Sequence, residues 1–259
     1  MTKMGKLDPS QWGRFMPAQS PQSQKGPWYY RDTECVVIEF ETDPDMALAM
    51  IPPELELIEP ASAFMVMETN HWTTLGPYSE VYMAIPCLFN GAVCAFTPGV
   101  YVTGENSQIV GREVFGFGKK RPHKIEIVTH GNGTVEVVME VLPGDRALRA
   151  TMMPSQNEPA DALGGVPLVS LRIIPDAAGG PKPALAQLLE VSFAAEPLIG
   201  SDGRAEVYTG PGHIALESPS DVQLPVLKVT KATYAHFNAV LPYPRVLKTY
   251  TDEELSGCI

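Results

Sequence analysis

The segment Gly111 to Lys120 reads Gly-Arg-Glu-Val-Phe-Gly-Phe-Gly-Lys-Lys and closes on two adjacent lysines, Lys119 and Lys120. A lysine amine attacks a carbonyl only when unprotonated, and an ordinary pKa of about 10.4 makes that form rare at neutral pH. Removal from water and a second positive charge nearby both favour the neutral amine. Val114, Phe115 and Phe117 offer an apolar setting, and Lys120 offers the neighbouring charge. These are two means by which a lysine is activated for Schiff-base chemistry. A Lys-Lys pair taken alone marks a solvated turn more often than a nucleophile, so the rest of the chain has to decide.

Much of it decides by exclusion. Nineteen basic against thirty acidic residues give a net charge of -11, which disfavours nucleic acid, whose binding depends on neutralising phosphates with Lys and Arg. The densest basic cluster runs from Lys119 to Lys124 with Arg121 between, so positive charge for an anionic substrate is local. Cys35, Cys87, Cys94 and Cys258 lack C-x-x-C spacing, and His71, His123, His130, His213 and His236 are scattered; no metal is expected. No apolar run approaches the ~20 residues of a membrane span. The N-terminus carries no apolar core of a secretory signal, and a cytoplasmic protein without a membrane partner is the expectation.

At 259 residues, 44% hydrophobic and 19% charged, the chain is expected to fold around a substantial core. Residues 1–25, rich in Gln, Ser and Pro, read as a polar arm that wraps a neighbour or is poorly ordered, and residues 26–259 as a single domain. Glu34 to Glu41, Phe64 to Glu68, Tyr78 to Ile85 and Gly91 to Thr103 have strand character. Asp43 to Ile51 reads as a short helix with Asp43 as N-cap, Pro44 at its first position and Pro52-Pro53 as its stop. Lys124 to Val128 and Thr134 to Val141 flank Gly131-Asn-Gly133 as a hairpin. Strand pattern continues at 168–174, 184–193 and 205–216; 231–240 fits a short strand or a helix. The fold class is mainly β (α+β): an antiparallel barrel or otherwise curled sheet with a few short helices.

Several short stretches stand in order along the chain: Lys25-Gly-Pro27, Pro77-Tyr-Ser-Glu-Val-Tyr-Met-Ala-Ile-Pro86, Phe89-Asn-Gly91, Gly111-Arg-Glu113, the lysine pair, Leu171-Arg-Ile-Ile-Pro175 and Val207-Tyr-Thr-Gly-Pro211. Together they resemble the acetoacetate decarboxylase family, over most of the chain from Lys25 to Tyr250. The resemblance implies a closed central barrel flanked by additional sheet, assembly into homo-oligomers, and no external cofactor. It implies Lys119 as the amine that forms an iminium with a ketone, Lys120 as the neighbour that depresses its pKa or shapes its turn, and Glu80 as the active-site glutamate. Tyr78, two residues before Glu80, shares its strand face and is a candidate hydrogen-bond donor to substrate.

Departures from the family pattern bear on the substrate. Counted without gaps, Thr33 stands where the family has an arginine, and Met65 where it has a second glutamate. Arg31, two residues before Thr33, faces the same side of an extended strand and is the expected substitute in substrate binding. Glu68, three residues beyond Met65, is expected on the opposite face, so nothing nearby replaces the lost carboxylate. Gly118 replaces a proline common before the lysines and is expected to loosen the turn. Met65 with Phe115 and Phe117 suggests a larger, more apolar substrate pocket than a four-carbon acid needs.

The expected function is a lysine Schiff-base-dependent carbon–carbon lyase. Its substrate is a keto acid or ketone bulkier or less charged than acetoacetate, cleaved by decarboxylation or by retro-aldol or aldol–dehydration steps. Strict acetoacetate decarboxylation is the alternative. A hydrolase on the same scaffold, for which no G-x-S-x-G elbow is present, and a non-catalytic small-molecule-binding barrel are further alternatives. The binding barrel predicts an exposed Lys119; the lyase requires it buried.

Overall fold

The computed structural model describes residues 2–217 and 224–258. Strand β1 (Trp28–Glu41) leads into helix α1 (Pro44–Met50), a two-residue strand β2 (Glu56–Leu57), and the long strands β3 (Ser62–Thr73) and β4 (Tyr78–Phe89). Then come β5 (Ala92–Phe96), β6 (Val100–Val102), helix α2 (Glu105–Glu113) and the two-residue strand β7 (Lys119–Lys120). The hairpin expected around Gly131-Asn-Gly133 is β8 (Lys124–Thr129) with β9 (Val135–Leu142), extended by β10 (Asp145–Met152). Strands β11 (Gln156–Asn157), β12 (Leu168–Ile174), β13 (Leu185–Val191), β14 (Ala194–Pro197), β15 (Val207–Thr209), β16 (Gly212–Leu216), β17 (Lys228–Leu241) and β18 (Arg245–Thr249) follow.

Local chemistry accounts for the punctuation. Asp43 caps α1 by accepting a 2.9 Å bond from the Met46 amide, with Pro44 at the first helical position. The single strand expected over 91–103 breaks between Phe96 and Val100, where Pro98 has no amide to give a ladder. The segment 231–240 lies within strand β17.

Strands β8, β9, β10 and β16 form a small antiparallel sheet; the remaining fourteen belong to one large mixed sheet. The large sheet runs β11-β15-β17-β1-β3-β4-β5-β12-β13-β18, and its end strands β11 and β18 do not pair. The curled-sheet form of the expectation holds, but the closed barrel does not form. Strand β4 shows why: its first half pairs with β3 and β6, its second half with β5 and β2, so the sheet forks there and does not return on itself.

Because both faces of β1 and β3 are covered, their alternation sends side chains into two different cores. Met65 and Met67 enter a core shared with Val137, Met139 and Leu148 of the small sheet. On the other face Val66 joins Trp28, Tyr30, Tyr78, Phe115 and Phe117 in a second cluster, with Phe64 packed against it. The N-terminal segment packs on its own chain: Phe15 is buried in that second cluster, and the Gly26 amide donates to the Tyr243 hydroxyl at 3.0 Å.

Candidate active site

Lys119 sits on β7, which runs parallel to β6 with Val100 opposite Lys119. Helix α2 bridges the two strands, and β6 in turn pairs with β4, placing Val102 opposite Glu80. The amine is thereby delivered against the β4 carboxylate. Lys119 is 6% exposed, and its Nζ lies 2.5 Å from Glu80 Oε2 and 3.0 Å from Ser107 Oγ of α2. The rings of Tyr78 and Phe117 stand 5.7 and 6.0 Å from Nζ, close enough for cation–π attraction to an ammonium.

Two glycines make room for this arrangement. A Cβ at Gly111 would lie 2.5 Å from Lys119 Cε, so only a bare helix backbone leaves the side chain its channel. Gly116 adopts a φ of +72°, and a Cβ there would meet the Arg172 backbone at 2.5 Å. The tight turn presents Phe115 and Phe117 as a stacked pair with centroids 5.9 Å apart. Ser170 Oγ donates to the Phe115 carbonyl at 2.5 Å. The turn expected to be loosened by Gly118 is held by bonds from the Lys119 amide to Phe117 O at 2.7 Å and from the Val100 amide to Gly118 O at 3.3 Å. Arg112 Nη1 donates to the Lys119 carbonyl at 3.2 Å, bracing the strand from outside.

The structure brings Lys119, Glu80, Tyr78, Phe115 and Phe117 together around one cavity of about 50 Å³. It does not bring in the other three candidates. Lys120 follows Lys119 in a strand, so alternation turns it outward, and it is exposed. On β7 it registers against Tyr101.

Arg31 is also exposed, a correction with a clear cause. A β-bulge between Tyr30 and Thr33, with Asp32 at a φ of 51°, inserts an extra step into β1. Tyr30 and Thr33 therefore both face inward although three residues apart, and Arg31 is thrown to the outer surface against the Tyr29 ring.

Met65 is the third correction. It is fully buried, but in the core beneath the opposite face of β3. The face that carries Glu68 is the face that meets the lysine. Glu68 is register partner of Glu80 and lines the cavity. Burial, and after it the charge of Glu80, pushes its carboxyl up to about 8, so it is held protonated at neutral pH. A second carboxyl is thus present, one pleat away from where it was sought.

Ser107, Tyr30 and Thr97 were not visible as site residues in the sequence. Tyr30 accepts a 3.0 Å bond from the Tyr78 hydroxyl. Thr97 is buried, and its hydroxyl has no partner. Lys119 is the only basic side chain in the cavity lining among the described residues. No group of three or more His, Cys, Asp or Glu side chains able to hold a metal ion occurs among those residues, and no helix is long and apolar enough to cross a membrane.

Known proteins share this arrangement of chain. The family model for acetoacetate decarboxylase matches residues 15–251. Acetoacetate decarboxylase 2 of Mesorhizobium japonicum is 28% identical over 244 residues, covering 91% of this chain and 88% of its own. A solved acetoacetate decarboxylase superposes with a TM-score of 0.83 at 24% identity, covering 93% of this chain and 97% of that one. The enduracididine biosynthesis enzyme MppR, solved with pyruvate, gives 0.76 at 21% identity over 92% and 98%. At those identities the two structures speak for the fold alone. With the family model spanning nearly the whole length, the chain belongs to the acetoacetate decarboxylase family.

Proposed function

We propose that the protein is a lyase that breaks or forms a carbon–carbon bond beside an iminium on Lys119. The observation that carries this is a buried lysine amine, enclosed by aromatic rings and 2.5 Å from a carboxylate that can take its proton. Transfer of that proton to Glu80 frees the amine to add to a ketone. Loss of water from the carbinolamine gives the iminium, whose nitrogen accepts the electron pair of the breaking bond. With a β-keto acid, carbon dioxide leaves and an enamine remains. Glu68, held protonated, is the donor suited to protonate the enamine carbon. Water then releases the ketone and regenerates the amine.

A keto acid is the substrate class this chemistry needs, and the family's curated relatives are named for one such acid. Acetoacetate itself remains a second reading on that account. Among the described residues the cavity lining holds no cation besides Lys119, so any β-keto acid, acetoacetate included, would have its carboxylate met there by neutral donors alone. Decarboxylation is measured directly as carbon dioxide release from acetoacetate, a longer alkyl β-keto acid and an aromatic one. The proposal expects release from at least one, and none with Lys119→Ala. Equal release by Lys119→Ala would refute it.

A further inference from the structure

The cavity around Lys119 is too small for more than a reacting carbonyl and its immediate neighbours, at about 50 Å³. Beyond it lies a second chamber of about 350 Å³ on the same face of the large sheet. Glu68, Tyr82, Leu168 and Phe193 line both spaces, so these four form the partition between them. The strand register shows that the floor is continuous. Cys35, Glu68 and Glu80 make one row across β1, β3 and β4; the next row on that face is Val37, Val66 and Tyr82, and the one after holds Glu39, Phe64 and Ala84. Two such steps, four residues in all, carry the floor about 13 Å along the strands from the Glu80 row, whose carboxylate meets the lysine amine.

The chemistry of this floor changes in one direction. Glu68 and Tyr82 at the partition are followed by Val37, Val66 and Phe64, with Phe237 and Ala195 also lining the chamber. Ala162 to Val166 form a further wall, with Gly164 and Gly165 both at positive φ. Charge returns only at the far end, where Lys231 and Glu39 pair at 3.6 Å, each about two-fifths exposed. An apolar track leading from an amine to a solvent-exposed ion pair fits an apolar substituent, and the one cation lining it, Lys231, is already paired with Glu39.

Resting on the Lys119 reading, we infer that the outer chamber is a substituent subsite, and that the substrate is a β-keto acid whose ketone bears an alkyl or aryl group larger than methyl. The carbonyl carbon lies at Lys119 Nζ, the substituent passes between Tyr82 and Phe193 toward Val37 and Phe64, and the carboxylate end stays in the inner cavity. There the unpartnered Thr97 hydroxyl is a donor without a protein acceptor. Glu68 at the partition touches both parts of such a substrate.

The test compares kcat/KM for acetoacetate, butyrylacetate, hexanoylacetate and benzoylacetate, alongside borohydride trapping of each. Each methylene moved from water into the chamber is expected to raise kcat/KM about fourfold, hence more than about tenfold from acetoacetate to butyrylacetate. In Val37→Phe and Ala195→Phe, which fill the chamber from different strands, the ratio of hexanoylacetate to acetoacetate is expected to collapse toward unity. Because the ratio is taken within each variant, a general loss of activity does not mimic the result, and either variant suffices. A wild-type profile that is flat or falls with chain length would overturn the subsite while leaving lysine chemistry standing. So would a ratio untouched by both variants, which would send the substituent instead toward the groove beyond Thr97 and Phe117. Absence of any trapped adduct on Lys119 with all four acids would sink the underlying reading itself.

Discussion

Replacing Gly111 by alanine separates the site from the fold. The added Cβ would stand 2.5 Å from Lys119 Cε, roughly 1 Å inside the ordinary carbon–carbon contact of about 3.5 Å. Since the helix backbone is fixed by its own hydrogen bonds, the lysine is the part that gives, and its amine must retreat by about that ångström. It would leave hydrogen-bonding distance of Glu80 or Ser107, and a misplacement of this size lowers catalysis by about 100-fold. Stability moves far less. Alanine favours the helix over glycine by about 1 kcal/mol, while overpacking costs about 1–3 kcal/mol, so the net change stays within about 2 kcal/mol. Parallel measurement of kcat/KM and thermal unfolding reads both quantities. The reasoning is refuted if Gly111→Ala keeps activity within about threefold of wild type while remaining folded, because the close approach would then have no consequence for the amine.

Other perturbations address the corrected residues. Arg31→Ala is expected to leave kcat/KM within about twofold, since the side chain lies outside the cavity; a loss beyond tenfold would place it at the substrate after all. Met65→Ala removes a fully buried side chain and is expected to lower stability by about 2–5 kcal/mol with no change in substrate preference, which chemical denaturation and a substrate panel would show. Glu68→Gln bears on pH. Glu68 is raised from an ordinary value near 4.5 to about 8, so between those values the unfolded chain sheds a proton that the folded protein keeps. Wild-type stability therefore falls as pH rises through that window, and Glu68→Gln is expected to flatten the fall. Parallel unfolding curves for the two proteins from pH 5 to pH 8 would contradict the assignment.

The core of the candidate site was legible because it is local: the Lys119 turn with Phe115 and Phe117 occupies one short segment, and Glu80 with Tyr78 another. Arg31 was misread because regular alternation was assumed through β1, whereas the bulge at Asp32 resets which residues face inward. Met65 was misread for a different reason. When both faces of a strand are buried, hydrophobicity does not say which face meets the site, and the gapless count chose the wrong one. The sequence did carry a signal: Glu68 and Asn70 sit at alternate positions on the face that Phe64 and Val66 continue, and a charged residue in such a row is rarely buried without a task. Ser107 and Thr97 left no comparable mark, because their place beside Lys119 is set by the folding of α2 and of the segment that follows β5, and not by spacing along the chain. The barrel expectation failed at β4, whose two halves pair with different neighbours.

The central claim is that Lys119, and no other lysine, forms an iminium with a carbonyl substrate. Borohydride reduction in the presence of a β-keto acid, followed by peptide mass mapping, tests it most directly. The account predicts one stable adduct on the peptide containing Lys119, absent in Lys119→Ala. Labelling of Lys120 or of other surface lysines alone, with Lys119 unmodified in the folded protein, would contradict it.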